Sequence, residues 1–112
     1  MPTVKEICEA LSAEVHVEGN SSRAVENATA GDLLSFVMGS DADGAAWVTI
    51  QTHVNVAAVA VLKDTPIIII ADRRAPMTDL TERCGIEGIA LATAPESIFE
   101  TCAALSRLGL KG

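Results

Sequence analysis

Four consecutive isoleucines, Ile67-Ile68-Ile69-Ile70, constrain this chain more than any other feature. Successive side chains of a strand point to opposite faces of a sheet. An unbroken run of β-branched apolar residues leaves neither face for water, so the segment is central and covered on both sides. Each isoleucine buried there contributes ~1.5–3 kcal/mol to folding. The surrounding rhythm is strand, helix, strand. Trp47-Val48-Thr49-Ile50 reads as a strand and Val54 to Lys63 as a helix. Thr78 to Cys84 is a helix, Ile89-Ala90-Leu91-Ala92 a strand and Glu96 to Leu108 the last helix. Such repeats imply parallel pairing with right-handed crossovers. The expected architecture is α/β: one three-layer domain over 1–112, with a mostly parallel central sheet of about five strands and helices on both faces. Aromatic residues make up only 3% of the chain, and the small Ala, Val, Ile and Leu side chains suit close helix–sheet packing.

The N-terminal part is less regular. Thr3 and Glu6 form a capping-box pattern, and Val4, Ile7, Cys8 and Leu11 fall at helical spacing, which predicts a helix over 3–12. Glu14 to Glu18 alternates as a half-exposed strand that places His16 on the polar face, where it is expected to be solvated. Gly19-Asn20-Ser21-Ser22 is a turn, and 23–30 reads as a second strand of weak pattern. Gly31-Asp32 opens a short helix, Leu33 to Met38, with Asp32 as the expected N-cap. Ser40-Asp41-Ala42-Asp43-Gly44 resembles the start of a calcium loop, but its twelfth position is Thr52 where a bidentate Glu is needed; it is a turn.

With 8 basic and 15 acidic residues the net charge is -7, which argues against nucleic acid and anionic membrane surfaces as partners. Cys8, Cys84 and Cys102 are widely spaced within apolar helical patterns and are expected to be buried thiols, not ligands of zinc or a cluster. The first residues lack the apolar run of a signal peptide and no stretch reaches membrane-spanning length, so the expected location is the cytoplasm.

In an open parallel sheet, ligands bind beyond the carboxyl ends of the strands, near helix N-termini. Three stretches fall there: Gly31-Asp32, Gln51-Thr52-His53-Val54-Asn55 and Asp72-Arg73-Arg74. The candidate ligand-binding residues are therefore Asp32, Gln51, Thr52, His53, Asn55, Asp72 and Arg73. Free helix N–H groups favour an anion, and Arg73 and Arg74 offer charge-assisted contacts to it. A plainer reading has Thr52 or Asn55 capping the helix, Gln51 and His53 satisfying backbone groups, and the arginines paired with Asp72 or Asp79. No phosphate loop, dinucleotide fingerprint, zinc-protease motif or nucleophile elbow is present, and no Ser or Cys is placed beside His53, so neither an enzyme nor a cofactor is expected.

Gly31-Asp32-Leu33-Leu34-Ser35-Phe36-Val37-Met38 and Thr49-Ile50-Gln51-Thr52-His53-Val54-Asn55-Val56-Ala57-Ala58-Val59-Ala60 together resemble the DRTGG domain, in particular its solitary, single-domain members. The likeness runs on through 67–70 and Ala94 to Thr101. It implies a fold similar to the N-terminal domain of HPr kinase/phosphorylase. DRTGG domains also occur in phosphotransacetylases, cobyrinic acid synthase-like proteins and CBS-containing inorganic pyrophosphatases, where they often contribute to dimer contacts. Solitary members are similar to proteins encoded beside iron hydrogenase and NADH-dehydrogenase-like subunits. The resemblance therefore implies a homodimeric regulatory or interaction module, accessory to a metabolic or redox enzyme, that binds a partner enzyme or a small anionic metabolite or nucleotide. One departure is plain: the family's glycine-rich turn after the penultimate strand is replaced by Ala71-Asp72-Arg73-Arg74. Two other readings compete with this one, a purely structural adaptor of a hydrogenase-like complex and a small enzyme using His53 as general base.

Overall fold

The isoleucine strand sits at the middle of the sheet, as its burial on both faces requires. The computed structural model covers residues 1–112 and orders the elements as α1 (Val4–Ala10), β1 (Glu14–Val17), β2 (Ala28–Ala30), α2 (Leu34–Met38), β3 (Ala46–Thr49), α3 (Asn55–Leu62), β4 (Ile67–Ile70), α4 (Thr78–Glu87), β5 (Ala90–Thr93) and α5 (Ile98–Arg107). The five strands lie in the order β1-β5-β4-β3-β2, with β2 to β5 parallel and β1 antiparallel to β5. This is the expected three-layer α/β architecture. Ile67 and Ile69 join Val4, Ile7 and Leu105 in a core under α1 and α5. Ile68 and Ile70 join Trp47, Val56, Leu80 and Cys84 in a second core under α2, α3 and α4. One strand thus supplies both hydrophobic layers.

Local signals hold where they are strong. Thr3 accepts from the Glu6 N–H and Glu6 accepts from the Thr3 N–H, completing the capping box of α1. Ser97 caps α5 by accepting from the Glu100 N–H. Where the pattern is weak, the structure departs from expectation. Only Ala28–Ala30 of the 23–30 stretch is strand: the Val25 N–H is drawn instead to the Pro2 carbonyl, and Ala24 and Asn27 form only isolated bridges, to Thr3 and Lys111. Asp32 does not cap α2, whose N-cap is Leu33 with no side-chain bond. Neither Thr52 nor Asn55 caps α3, which begins after an uncapped Val54. Helix α4 continues past Cys84 to Glu87 and stops at Gly88 in the left-handed conformation, φ 71°.

The expectation for His16 also needs correction. Strand β1 carries a bulge between Val15 and Val17, so strict alternation fails. His16 is turned half inward and its Nε2 lies 2.8 Å from Thr93 Oγ1. Cys8 and Cys84 are buried, whereas Cys102 is half-buried.

Gly19 has φ +55°, and a Cβ there would sit 2.4 Å from the Ala90 amide nitrogen, inside the sheet's own backbone. Gly19→Ala combines left-handed strain with overpacking and is expected to cost about 2–4 kcal/mol in urea denaturation. Burial pushes the Cys84 thiol up to about 11 from 9.0, and raises those of Cys8 and Cys102 in the same direction. The unfolded chain therefore ionises first as pH rises. The neutral thiols' contribution to stability is intact below about 9 and is lost as pH climbs through about 9 to 11. The urea midpoint is expected to fall between pH 8 and pH 10, and to fall less in Cys84→Ala.

Candidate functional site

Parallel strands β2 to β5 end together on one side of the sheet, with Ala30, Thr49, Ile70 and Thr93 as their last residues. Because β1 runs the other way, its first residue joins them: Glu14 pairs with Thr93. Every sequence-derived candidate lies on this rim, but the rim divides into two halves.

On the β2–β3 half, polar groups satisfy one another. Asp32 Oδ1 accepts from Thr49 Oγ1 and from the Ile50 N–H, both at 2.8 Å. Gln51 Nε2 donates to the Asp32 carbonyl at 2.9 Å, and Trp47 Nε1 donates to the Gly31 carbonyl at 2.9 Å. Asp32 thus ties the end of β2 to the end of β3, since burying Ile50 N–H and Thr49 hydroxyl without an acceptor would cost ~1–3 kcal/mol each. Beyond this latch, His53 and Asn55 are exposed and Thr52 is half-buried. Thr52 contributes its carbonyl to the Met77 N–H, at 3.0 Å, and none of these three side chains makes a hydrogen bond within the chain. None of the five principal clefts is lined by any residue of 51–55.

On the β4–β5 half, the chain leaves β4 through a turn in which Asp72 and Arg73 both have left-handed backbones, φ 62° and 58°. Consecutive left-handed residues that are not glycine cost of order 1–3 kcal/mol each. They are held by the Asp72 N–H donating to Glu96 O at 2.6 Å and the Arg73 N–H donating to Ala94 O at 2.9 Å. The turn therefore leans over the end of β5, away from 51–55. It carries Arg73 to a cleft of about 270 Å³ lined with Ser12, Glu14, His16, Thr93 and Pro95. A second cleft of about 650 Å³ adjoins it, sharing Ser12, Arg73 and Pro95 and adding Glu100, Thr101 and Arg107.

Within the smaller cleft the proton positions follow from counting. Thr93 Oγ1 donates to the Arg74 carbonyl at 2.8 Å, so its hydrogen is committed. It must accept from His16, which places a proton on Nε2 and leaves Nδ1 without a partner in the chain. The ion pairs of the protein are Arg23–Asp64 and Lys63–Asp43. The expected pairing of Arg73 or Arg74 with Asp72 or Asp79 does not occur; Arg73 is exposed, makes no ion pair and lines both clefts, whose acidic residues are Glu14 in the smaller and Glu96 and Glu100 in the larger. Glu14 supplies one acceptor at the far wall. A third opening of about 520 Å³ between α1 and β1 is lined by Val4, Cys8 and Val15, and its one cation, Lys5, shares the lining with Glu9 and Glu18, a poorer setting for an anion.

Glu14 and His16 lie on the antiparallel edge strand, whose amino end reaches the same rim, so a rule for the carboxyl ends of parallel strands does not single them out. Thr93 does end a parallel strand, but one residue beyond the predicted 89–92, and the loop after that strand carries no cluster of polar side chains to mark it.

Asp32→Ala is expected to destabilise the fold by about 2–4 kcal/mol, as it strands two donors. Thr52→Ala and Asn55→Ala should stay within about 0.5 kcal/mol of the parent. Urea denaturation of the three variants checks the contrast.

No protein-family model and no curated protein matches this chain. Among solved structures, its fold is similar to that of the CBS and DRTGG domains of the regulatory region of Clostridium perfringens pyrophosphatase, complexed with the activator diadenosine tetraphosphate. The TM-score is 0.70 and the identity 16%, over 88% of this chain and 44% of that one. The chain thus spans less than half of that neighbour, and the likeness is one of fold over that part.

Proposed function

We propose that this protein is a non-catalytic regulatory module of DRTGG type that binds a small anionic metabolite or nucleotide at the β4–β5 rim. The observation that carries the reading is Arg73, which makes no ion pair and is held by a strained turn where two clefts adjoin. A planar fork of N–H donors recognises a phosphate or carboxylate bidentately. Thr93 and His16 form the wall behind it, and Glu14 offers an acceptor suited to a hydroxyl or amino group of the same ligand. The similarity of fold to a regulatory region complexed with a dinucleotide activator supports the same reading. In this reading Asp32 and Gln51 act by bracing the rim, Asp72 by shaping the turn, and Arg73 by touching the ligand. Thr52, His53 and Asn55 remain available to a partner enzyme beyond the latch. An enzyme with His53 as general base is disfavoured, because His53 is exposed and lines none of the principal clefts.

The test is a thermal-shift titration with inorganic phosphate, AMP, ATP and diadenosine tetraphosphate. A ligand at one hundred times its Kd stabilises by about 2.7 kcal/mol, which a domain of this size reports as a rise of several degrees. At least one of these anions is expected to raise Tm in the parent chain, and Arg73→Gln is expected to abolish the rise while His53→Ala keeps it. No rise with any of them, or a rise undiminished in Arg73→Gln, sinks the proposal.

A further inference from the structure

The smaller cleft of the β4–β5 rim holds a histidine with one ring nitrogen fixed and the other free. Thr93 Oγ1 spends its hydrogen on the Arg74 carbonyl and accepts from His16 Nε2, both at 2.8 Å. Nε2 therefore carries a hydrogen whether the ring is charged or not, and the neutral ring is held in the Nε2–H tautomer. Its Nδ1 is then a bare acceptor to which no group of the chain donates. His16 is half-buried and lines the cleft with Ser12, Glu14, Arg73 and Thr93.

Few charges stand around it. From its own strand, Glu14 shares the cleft, while Glu18 lines the separate opening beside α1. The turn after β4 brings Arg73; Arg74 is exposed, makes no ion pair and lines neither cleft of the rim. Beyond β5, Glu96 belongs to the larger cleft. Helix α4 packs against β1, but its Asp79, Glu82, Arg83 and Glu87 are exposed, none pairs with His16, and Cys84 is buried in the core. The smaller cleft thus sets one cation, Arg73, against two acceptors, Glu14 and Nδ1. An anion stripped of all its hydrogens meets one donor and two repulsions there. An anion that keeps a hydroxyl can offer oxygens to the guanidinium and a hydrogen to an acceptor.

We infer that His16 makes this site selective for a phosphate that brings its own hydrogen, its anionic oxygens on Arg73 and its P–OH donating to Nδ1. This assignment rests on the reading of the rim as an anion site and narrows the ligand to one class. Inorganic phosphate, or a phosphomonoester with one hydrogen left, is accepted. Sulfate, carboxylates and the bridging phosphates of a dinucleotide, which have no such hydrogen, are refused. A fully ionised monoester on a protonated ring is the same complex with the hydrogen moved across, so the complex holds one hydrogen between Nδ1 and the phosphate either way. Thr93 is the positioning residue, because its committed hydroxyl fixes which nitrogen faces the ligand.

Calorimetric titration of the full chain at constant ionic strength provides the test. At pH 8.5, above the range in which imidazoles titrate, inorganic phosphate keeps a hydroxyl and sulfate has none. The parent is expected to bind phosphate at least about tenfold more tightly than sulfate, the worth of one hydrogen bond to a charged group. The phosphate of AMP loses its last hydrogen near pH ~6. AMP is therefore expected to bind about tenfold more weakly at pH ~8.5 than at ~7.5, as one proton must be taken up, while phosphate changes less than about twofold. His16→Gln keeps a polar group within reach of Thr93 but lacks Nδ1, and is expected to bring phosphate and sulfate within about twofold of each other. Thr93→Val is expected to narrow the gap in the same direction. Equal binding of the two anions by the parent, or a preference undiminished in His16→Gln, overturns the role of His16 even where Arg73→Gln abolishes binding of both. No phosphate binding by the parent at any pH removes the anion site itself, and the role of His16 with it. Should His16→Gln fail to fold, the imidazole nitrogen-15 shifts of the parent at pH 8.5 decide. An Nε2–H tautomer whose Nδ1 signal moves with phosphate and not with sulfate is expected, and an Nδ1–H tautomer overturns the inference.

Discussion

Strand β4 has to be hidden from water on two sides at once, and nearly everything else in the fold is arranged around that requirement. Its four isoleucines alternate between two cores, one roofed by α1 and α5 and the other by α2, α3 and α4. A helix layer on only one side would leave two isoleucines wet, a loss of several kcal/mol against a total stability of about 5–15 kcal/mol. The flanking strands, β3 and β5, are likewise buried along their whole length. The chain covers these faces with five helices, and the parallel run of β2 to β5 puts the loops that leave those strands on one rim.

This organisation was legible in the sequence because burial leaves a periodic trace. Strand 67–70 was read to the residue, and the capping box and the helices from Val54 onward within a few positions. What escaped depends on contacts distant in sequence. Asp32 looks like an N-cap from its position before Leu33, yet its carboxylate is claimed by Thr49 and Ile50, 17 and 18 residues away. A lone Asp before a short helix carries no sign of which partner will win. His16 was read as solvated from alternation, and a single bulge overturned that.

The rim shows the same division between what a local pattern tells and what topology adds. Reading strand ends picked out Asp32, Gln51, His53 and Arg73 but could not say which strands would be neighbours. The order β1-β5-β4-β3-β2 sets β4 between β3 and β5, and the turn after β4 takes Arg73 toward Thr93 and His16 on the β5 side, not toward His53. The strained pair Asp72–Arg73 is the physical sign of that choice, since its two N–H groups are spent on the loop after β5. Glycine at either position would relax the turn, and with it the hold on the guanidinium.

The bulge in β1 has a consequence beyond the placement of His16. Four isoleucines in a row are the kind of segment that stacks into fibrils when its backbone is offered to another chain. Here β4 is shielded by two strands on either side, and the sheet presents only β1 and β2 at its margins. Strand β2 is three residues long, with the Ala28 N–H already taken by the Lys111 carbonyl. Strand β1 is kinked by its bulge and begins with Glu14, a charge an incoming strand would have to desolvate. The irregularities of these two strands are what keep the most aggregation-prone segment of the chain from finding a template at its edges.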